Sequence, residues 1–241
     1  MPIRGVIFDY GMVLSTAQDP AAHTRLREIT GLERAAFEEH YWRHRHQYDL
    51  GNLNGTAYWR KIAADAGLSF TPEQLEELVE NDVLMWASLN EEMLAWAAAL
   101  QDRGMRTAIL SNMGEELLRY MRQEFAWLKH FTHHTWSCEL QIAKPDPAIY
   151  TWTCEKMSVA PDEALFIDDK PENVKAAAEV GLHAIQFRNV AQLRHELERR
   201  DLLAGWPLPG DAPAPTDGQE RVTGDGLPGT DSCSTISTSK P

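Results

Sequence analysis

Gly5-Val6-Ile7-Phe8-Asp9-Tyr10-Gly11 sets four residues of a buried strand directly before a polar side chain, here a carboxylate, and a strand with a polar ending returns twice. Thr107-Ala108-Ile109-Leu110 runs into Ser111-Asn112, and Ala164-Leu165-Phe166-Ile167 runs into Asp168-Asp169. A fourth run, Ala184–Phe187, has the same apolar character. None of the four alternates apolar with polar, which is the signature of parallel strands covered on both faces. Helical patterns separate them, so the expected class is α/β with a Rossmann-like parallel sheet. Ligands of such sheets bind beyond the carboxyl ends of the strands. Three strands therefore deliver two acidic endings and one hydroxyl–amide ending to one crevice.

The interval between the first and second strands approaches a hundred residues, far more than one crossover helix requires. It reads as helix over roughly 20–30, 33–50, 55–66, 72–87 and 90–103. Thr71-Pro72-Glu73-Gln74 has the form of a capping box with proline in the first turn. Residues 16–88 are expected to form an inserted helical subdomain, with residues 1–15 and 89–204 forming the α/β core. Trp42, Trp59 and Trp86 with Tyr41, Tyr48 and Tyr58 are the aromatic stock for the insertion's own small core. Residues 205–241 hold six of the 13 prolines and no apolar periodicity. They are expected to be a disordered tail.

The formal net charge is −13, so a nucleic-acid backbone is an unsuitable partner. Cys138, Cys154 and Cys233 are the only cysteines, widely spaced and odd in number. That pattern suits reduced thiols better than a disulfide framework or a zinc site. No stretch of 18 apolar residues occurs, so no membrane partner is expected, and the cytoplasm is the expected location. An acidic protein that handles phosphate must concentrate positive charge locally. The best-placed candidate is Lys144 in Ala143-Lys144-Pro145-Asp146-Pro147, where two prolines stiffen the backbone around it.

In order along the chain, FDYGMVL, ILSNMG, AKPDPAIY and FIDDKPEN resemble the four motifs of the haloacid dehalogenase (HAD) superfamily. The resemblance spans residue 3 to about 190, and the helical insertion falls where that family carries its mobile cap. The paired Asp168-Asp169 and the Lys-Pro-Asp-Pro loop are similar to the phosphatase branch. This implies a magnesium-dependent hydrolase of a small phosphorylated metabolite, a sugar phosphate among them. Asp9 would be the nucleophile, forming an aspartyl phosphate. Mg2+ would be held by Asp9, Asp169 and the backbone carbonyl of Gly11. Ser111 and the backbone N–H of Asn112 would donate to the phosphoryl oxygens, Lys144 would neutralise charge, and Asp168 would support Lys144 or a metal-bound water.

One position departs from the pattern. Phosphatases of this family carry a second Asp two residues after the nucleophile as general acid and base, and here that residue is Gly11. Either another group protonates the leaving oxygen, with Asp49, His44 and His46 as candidates, or the leaving group departs with little help. Two alternatives follow: a phosphometabolite-binding protein with weak or no turnover, and a metal-free dehalogenase, which shares the Asp nucleophile and a Ser-Asn second motif. The substrate is expected to be read by insertion residues near Arg43, Arg45 and the Asp49-Leu50-Gly51 turn.

Overall fold

The computed structural model describes residues 2–211. Five parallel strands lie in the order β3-β2-β1-β4-β5: β1 (Gly5–Phe8), β2 (Arg106–Ser111), β3 (His133–Trp136), β4 (Ala164–Asp168) and β5 (His183–Gln186). The four strands expected from sequence are present. The fifth, His133-His134-Thr135-Trp136, escaped the reading because it is an edge strand, half-exposed at both histidines. It therefore lacks the continuous apolar run that marks a central strand.

Side chains alternate across the sheet. Val6, Phe8, Ile109, Leu165 and Ile167 face one way and pack on Trp96, Leu118, Met121 and Leu193. These come from α6 (Glu91–Asp102), α7 (Glu115–Glu124) and α11 (Val190–Arg200). Ile7, Ala108, Leu110 and Phe166 face the other way, onto Ile149, Tyr150, Cys154 and Ala177 of α9 (Pro147–Met157) and α10 (Pro171–Val180). A one-turn helix, Ser137–Leu140, follows β3 and is α8.

Residues 16–88 form the expected helices: α1 (Pro20–Thr30), α2 (Arg34–Arg43), α3 (Arg45–Asp49), α4 (Gly55–Ala66) and α5 (Pro72–Met85). The expected single helix over 33–50 is broken at His44, whose backbone leaves the helical region. Thr71 and Gln74 make both halves of the capping box. These helices share a separate core of Leu26, Phe37, Tyr41, Tyr48, Tyr58, Trp59 and Leu78. Trp86 is only partly buried against it, and Trp42 is 43% exposed.

That core encloses a charge cluster. The Arg45 guanidinium donates to both Asp82 oxygens at 2.9 and 3.1 Å and to Asp49 Oδ1 at 2.9 Å. It also lies against the Tyr48 and Tyr41 rings, at 4.8 and 5.2 Å from their centroids. Burying three charges is tolerable because each is paired and the guanidinium spreads its charge over aromatic faces.

The two ends of the helical stretch 16–88 are paired. Ser15 and Leu89 form an antiparallel bridge, flanked by Thr16 N–H to the Ser88 carbonyl and Asn90 N–H to the Leu14 carbonyl, both 2.9 Å.

The start of the expected tail needs correction. Trp206 and Leu208 pack on the sheet's first core, the Trp96 indole donates to the Pro207 carbonyl at 2.8 Å, and Arg103 covers the Trp206 ring at 5.5 Å. Proline richness hid a docked segment, because one indole and one carbonyl suffice to anchor it without periodicity. The remainder of the expected tail, 212–241, lies outside the described residues.

Candidate active site

Register brings the strand ends level. Phe8 pairs with Ile109 on one side and with Ile167 on the other, so the next residues, Asp9, Leu110 and Asp168, align. Asp9 N–H donates to the Ile167 carbonyl at 2.9 Å, extending the ladder one residue past β1. The sheet order reverses between β1 and β4, since β1 is followed outward by β2 and β3 on one side only. The crevice above that switch point is where an open α/β sheet places its ligand.

Lys144 is at the centre. Its ammonium, almost fully buried, lies 2.8 Å from Asp9 Oδ1 and 2.6 Å from Asp168 Oδ2, and it donates to the Leu110 carbonyl at 2.9 Å. The ammonium thus donates to Leu110 and Asp168 and stands in a close ion pair with Asp9. The Lys144 backbone is fixed by Asn112, whose side-chain amide donates to the Lys144 carbonyl and accepts from its N–H, both at 2.9 Å. The sequence reading gave Asn112 only a backbone part; its side chain is the clamp that sets where the lysine stands. Ser111 is buried at the end of β2.

Asp168 is the most heavily bonded acid. Besides Lys144 it accepts from Lys170 N–H at 2.8 Å and from the Asn173 amide at 3.0 Å to each oxygen. Asn173 lies in the first turn of α10; it closes the FIDDKPEN motif, but the sequence reading gave it no role. On Asp9, Oδ1 takes Lys144 and the Tyr10 N–H at 2.7 Å. Its Oδ2 makes no hydrogen bond among the described residues.

These contacts set the ionisation of the cluster. Burial opposes charge on every member. Lys144, the Lys170 N–H and Asn173 nonetheless hold the Asp168 carboxyl below the usual range, and Asp168 and Asp9 hold the Lys144 ammonium above its usual value. Asp9 goes the other way. Burial pushes it up to about 7, with Lys144 opposing and Asp168 and Asp169 adding to the rise. Asp169, half-exposed, is raised by burial and by Asp168. Lys144 and Asp168 are thus the tight ion pair, and Asp9 and Asp169 are carboxylates in excess of positive charge.

That excess is the test of a metal. Ligand oxygens of Asp9, Asp168 and Asp169 lie within 4.8 Å of one another, and one ammonium cannot balance three carboxylates. A hard divalent cation matches an all-oxygen donor set of this kind. A prediction follows. The folded-state value of Asp9 stands above its unfolded value, so the stability it contributes is complete below the unfolded value. That stability is lost as pH rises through about 7. Asp168, shifted the opposite way, acts only below the usual carboxylate range. In chelator, the melting temperature should therefore fall between pH 5.5 and 8, magnesium should restore it at pH 8, and Asp9→Asn should flatten the profile. A chelated wild-type protein with a flat profile would refute the charge assignment.

Gly11 has ordinary extended dihedrals, φ −59° and ψ 130°. A Cβ built there meets only the Trp86 ring, at 4.0 Å, so a side chain fits. Of the three candidate acids, His44 is tied to Asp65 at 2.6 Å on a partly exposed helix face, and His46 is exposed. Asp49 is held by Arg45, and its carboxyl is raised by burial against the opposing charge of Arg45. Arg43 is a surface residue paired with Glu39 and Asp65.

The likeness to known proteins agrees with this geometry. A family model described as haloacid dehalogenase-like hydrolase matches residues 3–181. Bifunctional epoxide hydrolase 2 of Rattus norvegicus is 33% identical over 162 residues, covering 65% of this chain and 28% of that protein. The chain thus spans under a third of that relative's length. Among solved structures, the HAD family enzyme bt-2542 of Bacteroides thetaiotaomicron has a TM-score of 0.67 at 19% identity, covering 82% of this chain and 99% of that one. The same enzyme has been crystallised with magnesium and inorganic phosphate. The L-2-haloacid dehalogenase RSc1362 has a TM-score of 0.61 at 17% identity, covering 77% and 86%. With the strands and switch point in agreement with a family match across about three quarters of its length, the chain belongs to the haloacid dehalogenase-like hydrolases.

Proposed function

We propose that the chain is a magnesium-dependent phosphatase of a small phosphorylated metabolite, with sugar phosphates among the candidate substrates. In this reading residues 1–15 and 89–204 are the catalytic core and residues 16–88 a helical cap. The paired exit and return at Ser15 and Leu89 and the separate aromatic core support that division. The observation that carries the function is Lys144 bridging Asp9 and Asp168 while Asp169 stands within the same 4.8 Å cluster. A metal-free dehalogenase has no use for the extra acid. The magnesium and phosphate complexes of bt-2542 support the same choice.

Asp9 Oδ2 is the oxygen free to attack phosphorus, forming an aspartyl phosphate as the phosphorus–oxygen bond to the leaving group breaks. Water then releases inorganic phosphate and regenerates Asp9. Lys144, held by Asp168 and by the Asn112 clamp, offsets charge at Asp9 and on the transferred group, and Ser111 with the Asn112 N–H donates to the phosphoryl oxygens. Asp9, Asp169 and the Gly11 carbonyl would hold Mg2+, which when bound neutralises phosphoryl charge. Such positioning without reorganisation is the main source of rate in phosphoryl transfer.

The deciding experiment is a screen of phosphorylated metabolites with magnesium, repeated in excess chelator, with chloroacetate as a parallel substrate. Phosphate release that chelator abolishes, with no chloride release, is the expected outcome. Chloride release that survives chelation would establish the dehalogenase instead. Tight binding without phosphate release in a single turnover would establish a binding protein.

A further inference from the structure

The segment that leaves β2 beyond Ser111 and Asn112 meets the helical insertion at three residues, through Ser137 at Met113, by contact at Gly114 and by hydrogen bonds at Glu116. Met113 N–H donates to Ser137 Oγ at 3.1 Å, and that hydroxyl donates to the Asp49 carbonyl at 2.5 Å. At Gly114 a Cβ would fall 2.3 Å from Tyr48 Cζ, so the Tyr48 ring lies directly on the glycine and no other residue fits. Two residues on, Glu116 reaches across with both oxygens. Oε2 accepts from the Tyr48 hydroxyl at 2.9 Å, and Oε1 accepts from Gly55 N–H at 2.7 Å. Gly55 is the first residue of α4, a helix of 12 residues. A carboxylate there accepts from an N–H that lacks an intrahelical partner and lies at the positive end of the helix dipole. The approach at Gly55 is close, since a Cβ there would lie 3.1 Å from Glu116 Cδ and 2.9 Å from Val79 Cγ2, and one of these side chains would have to move to admit it.

We propose that Glu116 is a positioning residue that couples the cap turn 48–55 to the segment that follows Ser111 and Asn112, so that phosphate held by those two residues and order in the cap turn depend on one another. The proposal rests on the cap-and-core reading above. Its mechanical content is that Gly114 and Glu116 take their contacts from Tyr48 and Gly55 of the cap, while Ser111 and Asn112, directly before them, are tied to the core. Phosphate bound at one end of the segment should steady the cap at the other.

Hydrogen–deuterium exchange on the whole chain tests this, comparing wild type with Glu116→Ala and Glu116→Gln, each with and without inorganic phosphate plus magnesium. In Glu116→Ala, exchange in segments 48–58 and 113–118 should accelerate together by about tenfold or more, the size expected for losing hydrogen bonds to a charged acceptor. Phosphate should slow exchange in the cap turn of the wild type but not of Glu116→Ala, and phosphate affinity should weaken about tenfold. Glu116→Gln keeps one acceptor oxygen and should recover part of both effects. Acceleration confined to the cap turn, with segment 113–118 and phosphate affinity unchanged, would reduce Glu116 to a local contact and overturn the proposal. So would unchanged exchange in both segments. If wild type itself fails to bind phosphate, the phosphatase reading falls, and the ligand-free exchange of the two segments still decides the coupling. Should Glu116→Ala not fold, Tyr48→Phe removes one of the two donors, keeps the ring on Gly114, and is judged by the same pair of segments.

Discussion

Asp9→Asn should reduce phosphate release by roughly 10⁴-fold or more, the scale of removing a catalytic nucleophile. The amide has the shape of the carboxylate and can still accept from Tyr10 N–H, now at 2.7 Å, so the turn after β1 has no reason to rearrange. Lys144 keeps Asp168 and the Leu110 carbonyl, and the lysine is not left as an unpaired buried charge. What disappears is the nucleophilic oxygen and one negative charge from an over-acidic crevice. The variant should accordingly be as stable as the wild type at pH 8 in chelator, or more so, while being inactive. Loss of activity with gain of stability separates a catalytic role from a structural one. Turnover within tenfold of wild type, with an unchanged circular dichroism spectrum, would end the covalent mechanism.

The sequence announced this site unevenly, and the reasons are physical. Asp9, Ser111, Asp168 and Asp169 were legible because a buried parallel strand is a continuous apolar run. A polar residue at its carboxyl end stands out, and the fold then brings such ends together. Lys144 was legible through the two prolines that follow it, Pro145 and Pro147. Asn173, though it closes the FIDDKPEN motif, was not legible as a site residue, because nothing local shows that its amide turns back to Asp168 across the strand–helix junction. Nor were Arg45 with Asp82, or Tyr48 with Glu116, separated by 37 and 68 positions. Nothing local in a chain marks which distant carboxylate a buried Arg or Tyr will meet. Edge strand β3 was missed for the opposite reason. It borrows its order from β2 pairing and from rings such as His134 stacked on Trp136 at 5.5 Å, leaving little apolar signal of its own.

Gly11 gives the second large effect, and its environment sharpens the expectation. A general acid at this position typically contributes on the order of 10²–10⁴ in rate by protonating the leaving oxygen. Here the position has no side chain, and the nearest atom to a built Cβ belongs to the apolar Trp86 ring. His44 is engaged by Asp65, and Asp49 shares Arg45 with Asp82, so neither histidine face nor charge cluster offers an obvious substitute. The leaving oxygen must then depart carrying much of its negative charge. Across substituted phenyl phosphates, kcat/KM should rise steeply as the leaving phenol becomes more acidic. Aryl, acyl and anomeric sugar phosphates should accordingly outpace simple alkyl phosphates of similar size. Water attack on the aspartyl phosphate lacks the same base, so the phosphoenzyme should accumulate with the fastest substrates and be trapped by acid quench. Because Gly11 has side-chain space and extended dihedrals, Gly11→Asp should fold, flatten the dependence on leaving-group acidity and lower phosphoenzyme accumulation. A flat profile in the unmodified chain would show that a proton donor already reaches the leaving oxygen. Asp49→Asn, which keeps an oxygen for Arg45, would then be the variant in which the steep dependence should emerge.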